Sequence, residues 1–202
     1  MRYFRAPGKL VILGEYAVVD GAPSIVAAVD RGVHCTVRPA SSLQIEAPGD
    51  ASFVSAALSA CAAPAASYTF FDSHAPTTAS KAGFGGSAAA TVVATLAGLT
   101  LRGLPPSSQE LFTRADAVHR SVQGSGSGVD VAAATWGGVL RYQHPMASPC
   151  RAVLPVVVWS GSSSRTGPRV GRYLEWIGRR DFVRRSTELV DQFDESPVST
   201  LG

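Results

Sequence analysis

The feature that most constrains the fold is the run Ser87–Leu99, which consists largely of Ala, Val and Leu. A helix that is apolar on almost all sides has to be buried, because it has no face that water solvates well. Elsewhere the chain alternates apolar and polar residues, as in Val33–Val37, with the period of a half-buried strand. A buried helix among strands predicts an α+β or mixed α/β chain with one core.

Shorter patterns predict the other elements. Strands are indicated by apolar runs at Ser24–Val29, Val33–Val37, Leu43–Glu46, Tyr68–Phe71, Val139–Tyr142 and Val153–Trp159, with Asp30-Arg31-Gly32 as a turn after the first. One helix is predicted over 50–63 with Asp50 as its N-cap, and another from Ser107 to about Val122 with the capping-box spacing of Ser107 and Glu110. Residues 168–193 indicate two short helices or one broken helix.

Composition limits the possible classes of protein. The 202 residues suffice for one good domain, and 46% hydrophobic residues with 16% charged residues are typical of a globular chain. The net charge is only +3. The basic cluster Arg179, Arg180, Arg184 and Arg185 is interpreted as solvated side chains at a helix junction. A nucleic-acid partner is therefore not expected, because its footprint needs a broader basic face.

The cysteines and the hydropathy of the chain indicate the cellular compartment in which it is expected. The three cysteines, Cys35, Cys61 and Cys150, match no zinc-ligand spacing, and Cys35 is expected in a buried strand. Reduced thiols and a cytoplasmic protein are expected. The N-terminus has no signal-peptide pattern, and no apolar run approaches the roughly 20 residues that span a bilayer. No membrane partner is expected.

A glycine-rich segment directly before the apolar helix carries the clearest functional pattern. Gly83, Gly85 and Gly86 allow positive φ and close backbone approach, and the helix start adds unpaired N–H groups. Together they predict an anion cradle. Ser87 offers a hydroxyl either to a phosphate-bound Mg²⁺ or as a cap. The segment taken alone is equally consistent with a plain glycine turn, and it is no Walker A loop because it lacks Gly-Lys-Ser/Thr.

The same segment resembles the second motif of GHMP kinases, Gly-Leu-Gly-Ser-Ser-Ala-Ala. Gly86 stands in place of the first Ser, which predicts weaker phosphate or metal binding than is typical of the family. The resemblance implies ATP binding with Mg²⁺ on Ser87, and phosphate contacts from Gly83, Gly85, Gly86, Ser87 and Ala88. Lys81, two residues before the first glycine, is typical of the phosphomevalonate kinase branch.

The N-terminal run Pro7-Gly8-Lys9 through Gly14-Glu15-Tyr16 resembles the first motif of that superfamily. Without the resemblance, Lys9 is more often a surface lysine. The resemblance implies that Lys9 contacts the catalytic carboxylate and the transferred phosphate. Tyr16, where mevalonate kinases carry His, favours the phosphomevalonate branch.

The segment Ser127-Gly128-Val129-Asp130 precedes an alanine-rich stretch and a Gly-Gly pair. An ordinary helix N-terminal acid is the simpler interpretation of Asp130. The segment resembles mevalonate and phosphomevalonate kinases, which implies that Asp130 is the catalytic base. His119 stands where mevalonate kinases carry a metal-binding Glu, which again favours the phosphomevalonate branch.

Further substrate contacts are implied by a looser resemblance. The loop from Trp159 to Thr166 is similar to a Trp-Thr-Gly segment of phosphomevalonate kinases, although a polar loop after a strand explains it equally well. An acceptor that already carries a phosphate needs additional cations. The expected substrate contacts are Tyr16, Lys81, Ser127, Gly128 and Thr166, with Lys81, Arg120, Arg141 and Arg165 as available cations.

Three motifs in the family's order imply the fold of the GHMP kinase N-terminal domain, a ribosomal-protein-like α+β domain with helices mainly on one side of a mixed sheet. Residues 1–202 are assigned to it, with 168–202 as a helical start of the C-terminal part. No glycine-rich third motif follows Asp130, so the C-terminal domain is expected to be largely missing, and a separate C-terminal domain or a homodimer is an expected partner. The expected function is a phosphomevalonate kinase. Mevalonate kinase and a non-catalytic nucleotide- or metabolite-binding module are the alternatives.

Overall fold

The computed structural model describes residues 1–72, 83–151, 155–158 and 166–196, with only the backbone for 166–168. The described strands are β1 (Arg2–Leu13), β2 (Ser24–Pro39), β3 (Gln44–Glu46), β4 (Ala66–Asp72), β5 (Val139–Gln143) and β6 (Met146–Pro149). The α-helices are α1 (Ser52–Ala60), α2 (Gly86–Leu101), α3 (Ser108–Gln123), α4 (Val129–Trp136), α5 (Thr166–Leu174) and α6 (Arg179–Glu195). A short 3-10 helix, Ala17–Asp20, follows β1.

Strand β2 organises the sheet. Strand β1 pairs antiparallel with β2 along most of the length of β2, so β4 and β5 share the other edge of β2. β5 pairs with Ser24–Ala27, and β4 pairs with Val33–Pro39. β6 extends the sheet antiparallel to β5, whereas β3 lies parallel to β4. The predicted mixed sheet is thereby confirmed.

The turn predicted at Asp30-Arg31-Gly32 is wrong, because β2 continues through it. The register with β1 shifts here: Pro7 pairs with Gly32, whereas the next residue, Gly8, pairs with Val29. Asp30 and Arg31 therefore form a bulge inside a long strand. The residues Asp30-Arg31-Gly32 are typical of a turn, but pairing with β1 keeps this segment in the strand.

The helices α1 to α4 enclose the main core on one face of the sheet. Val26, Cys35 and Val37 of β2 point into this core, where α2 packs against β1 and β2. The prediction of a buried helix is confirmed. Its two internal threonines, Thr91 and Thr95, are fully buried and donate to the carbonyls four residues earlier, each at 2.8 Å.

Helix α6 lies on the opposite face. Side chains alternate along a strand, so Ile25 points away from its neighbour Val26 and into a second, smaller cluster. There it contacts Val190 and Phe193 of α6, both fully buried. Helices therefore lie mainly, but not entirely, on one side.

Most of the other predicted elements are confirmed. The Ser107 side chain accepts from the Glu110 N–H at 3.2 Å at the start of α3, and residues 168–193 contain two helices. Asp50 accepts from the Ser52 N–H at 2.9 Å, but Ala51 is the N-cap of α1.

Three features were missed or misjudged. The full length of β1 and the edge strand β6 were not predicted. The strand expected at 153–159 is wrong for 155–158, which belong to no helix or strand and are exposed. The assignment of 168–202 to a C-terminal part stays a prediction. No helix in the described ranges is long and apolar enough to cross a membrane.

Candidate active site

Lys9 and Asp130 form an ion pair between β1 and the first turn of α4. Lys9 Nζ lies 3.3 Å from Asp130 Oδ1, and the two side chains are 16% and 33% exposed. Because the pair is partly buried, dissolved salt screens its attraction less than it would screen a fully exposed pair. The expected proximity of the two residues is confirmed, while their catalytic roles stay predictions.

Backbone contacts hold Lys9 against the glycine-rich segment. The Lys9 N–H donates to the Phe84 carbonyl at 2.9 Å. A Cβ built on Gly8 would lie 2.5 Å from the same oxygen, so a side chain there would push the two segments apart. The glycine of the first motif thus permits β1 to approach the second motif.

Gly85 connects the ion pair to the start of α2. It is the N-cap, in the left-handed region at φ 72°, and a Cβ there would lie 3.0 Å from Lys9 Cγ and 3.5 Å from Asp130 Oδ2. The N–H groups of Gly86, Ser87 and Ala88 follow in the first helical turn, where they have no partner within the helix. Donors suited to an anion therefore lie beside the Lys9–Asp130 pair. Gly83, also at positive φ, precedes them.

Ser87 faces helix α3. Its Oγ lies 3.2 Å from Nε2 of His119, which is buried. The N-cap of α2 is Gly85, and in the described part of the chain no side chain caps this helix. The interpretation of Ser87 as an N-cap is therefore wrong. Burial lowers the pKa of His119, and the negative charges of Asp130 and Asp116 oppose this shift. A neutral imidazole, not a carboxylate, thus contacts the Ser87 hydroxyl at neutral pH.

The loop before α4 is held by its own side chain and by β5. Ser127 Oγ accepts from the Val129 N–H at 3.4 Å, and the Ser127 carbonyl accepts from the Tyr142 hydroxyl at 2.8 Å. Gly128 is the N-cap of α4 at φ 83°. Burial raises the pKa of Tyr142, so its hydroxyl stays protonated as a donor.

The Tyr16 side chain contacts helix α5. It adopts φ 66°, unusual for a residue with a side chain, and its ring centroid lies 5.6 Å from that of Tyr173 on α5. The Tyr173 hydroxyl donates to Asp20 at 2.6 Å, and Arg179 of α6 lies 3.3 Å from the same carboxylate.

Several predicted contacts lie outside the described residues or already have a partner. Lys81 and the loop 159–165, which includes Arg165, lie outside the described residues, and only the backbone of Thr166 is described. Arg141 is bound to Asp191 of α6 at 2.6 Å. Arg120 is bound to Asp116 at 2.8 Å. Both arginines already have carboxylate partners.

Asp116 itself was missed. Its spacing of four residues from Arg120 on a helix was visible in the sequence, but such pairs are common on exposed helix faces. Its burial against β5 and the Gly128 loop depends on contacts between separate elements. Among the described residues, no group of three or more His, Cys, Asp or Glu side chains has a metal-binding arrangement.

Comparison with known proteins identifies the family of this chain. The family model described as the GHMP kinases N terminal domain matches residues 52–138. Mevalonate kinase of Methanothermobacter thermautotrophicus is 30% identical over an alignment that covers 91% of this chain and 71% of that protein. The chain belongs to the GHMP kinase family. The α+β fold predicted from its motifs is thereby confirmed.

Two further GHMP kinases match over a smaller part of their length. Mevalonate kinase of Aeropyrum pernix is 34% identical and phosphomevalonate kinase of Streptomyces is 31% identical, each over 69% of this chain. In both cases the match covers 49% of the relative. The chain thus spans about half the length of these two curated relatives.

A solved GHMP kinase structure has the same fold. Phosphomevalonate kinase of Streptococcus pneumoniae, in complex with phosphomevalonate and AMPPNP, superposes with a TM-score of 0.85 at 18% identity. The superposition covers 97% of this chain and 74% of that chain. At this identity the similarity shows the fold only.

Proposed function

We propose that this GHMP kinase chain carries the phosphoryl-transfer site of an ATP-dependent kinase that acts on phosphomevalonate in the mevalonate pathway. The observation that carries the proposal is the Lys9–Asp130 ion pair beside the start of α2, whose N-cap is Gly85. Phosphoryl transfer needs an anion cradle, a cation for the transferred phosphate and a group that orients the acceptor oxygen. These groups converge here from three elements.

The chemistry follows from this arrangement. The triphosphate binds the N–H groups of Gly86, Ser87 and Ala88 at the positive end of α2. Lys9 offsets negative charge on the γ-phosphate. An acceptor oxygen attacks the γ-phosphorus in line, the bond to the β–γ bridging oxygen breaks, and ADP leaves with that electron pair.

Asp130 orients the acceptor. An alcohol acceptor, as in mevalonate, gives its proton to the Asp130 carboxylate. A phosphate acceptor, as in phosphomevalonate, is already largely ionised at neutral pH, so Asp130 mainly fixes its direction. The Lys9 ammonium keeps the carboxylate in place in either case.

Mg²⁺ is proposed to accompany the nucleotide. Such an ion binds largely to phosphate oxygens and water, with few protein ligands. The neutral His119 tautomer that is unprotonated at Nε2 accepts a hydrogen bond from the Ser87 hydroxyl and leaves the lone pairs of Oγ available to a cation. Ser87 therefore fits as the protein ligand, and bound Mg²⁺ would neutralise phosphate charge during transfer.

The choice of phosphomevalonate rests on residues that differ from mevalonate kinases. Tyr16 replaces a His, and His119, neutral and bound to Ser87, replaces an acidic metal ligand. Tyr16, Lys81, Ser127, Gly128 and Thr166 are the proposed substrate contacts. Because Arg120 and Arg141 are already paired, Lys81 and Arg165 are the proposed cations for the substrate phosphate.

A further domain is proposed to complete the site. The chain spans about half the length of two relatives. We assign residues 1–202 to the N-terminal domain, with 168–202 as the helical start of the C-terminal part. Enclosure excludes water and strengthens charge contacts. The 202 residues alone are expected to bind ATP weakly and turn over slowly until a C-terminal domain, on the same or another chain, or a second copy completes the site.

A coupled ADP-release assay with mevalonate and phosphomevalonate tests the proposal, with reactions that lack an acceptor as the blank. The chain is assayed alone and after fusion to the C-terminal half of the Streptomyces relative. We expect the fusion to prefer phosphomevalonate in kcat/KM. A preference for mevalonate would establish the alternative substrate, and nucleotide binding without turnover in either form would establish a non-catalytic module.

A further inference from the structure

A buried carboxylate lies against the loop that leads into α4. The Asp116 side chain is only 8% exposed, and its Oδ2 accepts from Arg120 Nε at 2.8 Å and lies 3.2 Å from His144 Nε2. Its Oδ1 is buried and has no hydrogen-bond partner among the described residues. A carboxylate oxygen without a partner is costly to bury, so its presence needs an explanation beyond the stability of α3.

The unpartnered oxygen lies against Gly128. A Cβ built on Gly128 would be 2.8 Å from Asp116 Oδ1 and 2.5 Å from the Tyr142 hydroxyl. That hydroxyl also donates to the Ser127 carbonyl. Two separate elements, α3 and β5, therefore close on the residue where the chain turns into α4.

A displacement of Gly128 would reach the candidate active site. Gly128 is the N-cap of α4, and Asp130 lies in the first turn of that helix. We propose that Asp116 is a positioning residue, which fixes Gly128 and thereby the place of the Asp130 carboxylate in its ion pair. This inference rests on the proposed function, in which that ion pair acts on the transferred phosphate.

The partners of Asp116 explain how it stays in place. The Arg120 and His144 side chains are 37% and 40% exposed, so both reach inward from the surface to the buried carboxylate. Without the carboxylate, both side chains can return to water. The space beside Gly128 then opens and the start of α4 can shift.

The composition offers a direct probe of the ion pair. The chain contains two lysines, Lys9 and Lys81. Labelling with ¹³C,¹⁵N-lysine therefore gives two side-chain NMR signals, and Lys81→Arg assigns them. Asp130→Asn supplies the position of the Lys9 signal when the ion pair is lost.

The test compares two acids on α3, each four residues before an arginine. Asp116→Ala removes the buried carboxylate, whereas Glu110→Ala removes an exposed one that pairs with Arg114 at 3.0 Å. We expect Asp116→Ala to move the Lys9 signal by at least half of the Asp130→Asn displacement, and Glu110→Ala to leave it in place. The full chain is used, and the amide spectrum verifies the fold.

The other outcomes are equally decisive. A folded Asp116→Ala chain with an unmoved Lys9 signal, or an equal movement in Glu110→Ala, overturns the inference; a lower stability with an unmoved signal shows a purely structural role. If Asp116→Ala does not fold, Asp116→Asn decides in the same way. If Asp130→Asn itself leaves the Lys9 signal in place, the ion pair is absent in solution, and the proposed function fails at its central observation.

Discussion

The ammonium nitrogen of Lys9 lies 3.3 Å from Oδ1 of Asp130, although one residue sits on an N-terminal strand and the other in a helix far along the chain. Gly85 lies beside both side chains, so the pair borders the start of α2. Each catalytic assignment therefore makes a prediction about a specific contact.

Asp130→Asn should reduce phosphoryl transfer while the chain stays folded. A positioned carboxylate contributes about 10²–10⁴-fold to such reactions, more for an alcohol acceptor than for an ionised one. The assay is ADP release by the fusion protein. Asp181→Asn is the matched control, because Asp181 is likewise an acid in a first helical turn, that of α6. Equal rates in the two variants would contradict the role of Asp130.

Lys9→Met should weaken nucleotide binding and slow transfer, since the γ-phosphate loses its cation and Asp130 its partner. Lys9→Arg keeps the charge in a wider, planar group, so we expect partial recovery. Calorimetric titration with a non-hydrolysable ATP analogue measures the binding. If Lys9→Met binds the analogue as tightly as the unchanged chain, Lys9 does not contact the phosphates.

Comparing Gly85→Ala with Gly83→Ala distinguishes the effect of backbone strain from the effect of contact with the ion pair. Both glycines have φ above 70°, so each alanine should cost about 1–2 kcal/mol of stability. The Cβ at position 85 would also approach Lys9, at 3.0 Å, whereas at Gly83 no atom of the described residues lies within 4 Å. We expect nucleotide binding to fall further in Gly85→Ala. Equal binding in the two variants would show that this contact is unimportant.

The pH dependence of stability should include a contribution from His119. Burial lowers its pKa in the folded chain, so the unfolded chain binds a proton first as the pH falls below about 6.5. Stability is therefore lost through this group as acid is added. Urea unfolding measures the free energy of unfolding between about pH 7.5 and 5.5. As the pH falls through this range, that free energy should decline less in His119→Gln than in the unchanged chain. Parallel curves for the two chains would refute this assignment.

Local patterns were sufficient for much of this protein. The apolar run Ser87–Leu99 required a buried helix, and the spacing of Ser107 and Glu110 predicted the start of α3, because both effects act within a few turns of chain. The order of three motifs also predicted the family. The same motifs predict Gly83, Gly85 and Asp130 as site residues.

Only the tertiary structure decided how these pieces meet. The bulge at Asp30 and Arg31 follows from pairing with β1, and the burial of Asp116 follows from packing against Gly128 and β5. Neither pairing register nor the burial of a carboxylate can be read from neighbouring residues, because each depends on contacts between segments that are remote in the chain. The sequence alone indicated Lys9 and Asp130 as the residues that are proposed to carry the chemistry, and the fold determined the 3.3 Å between Lys9 Nζ and Asp130 Oδ1.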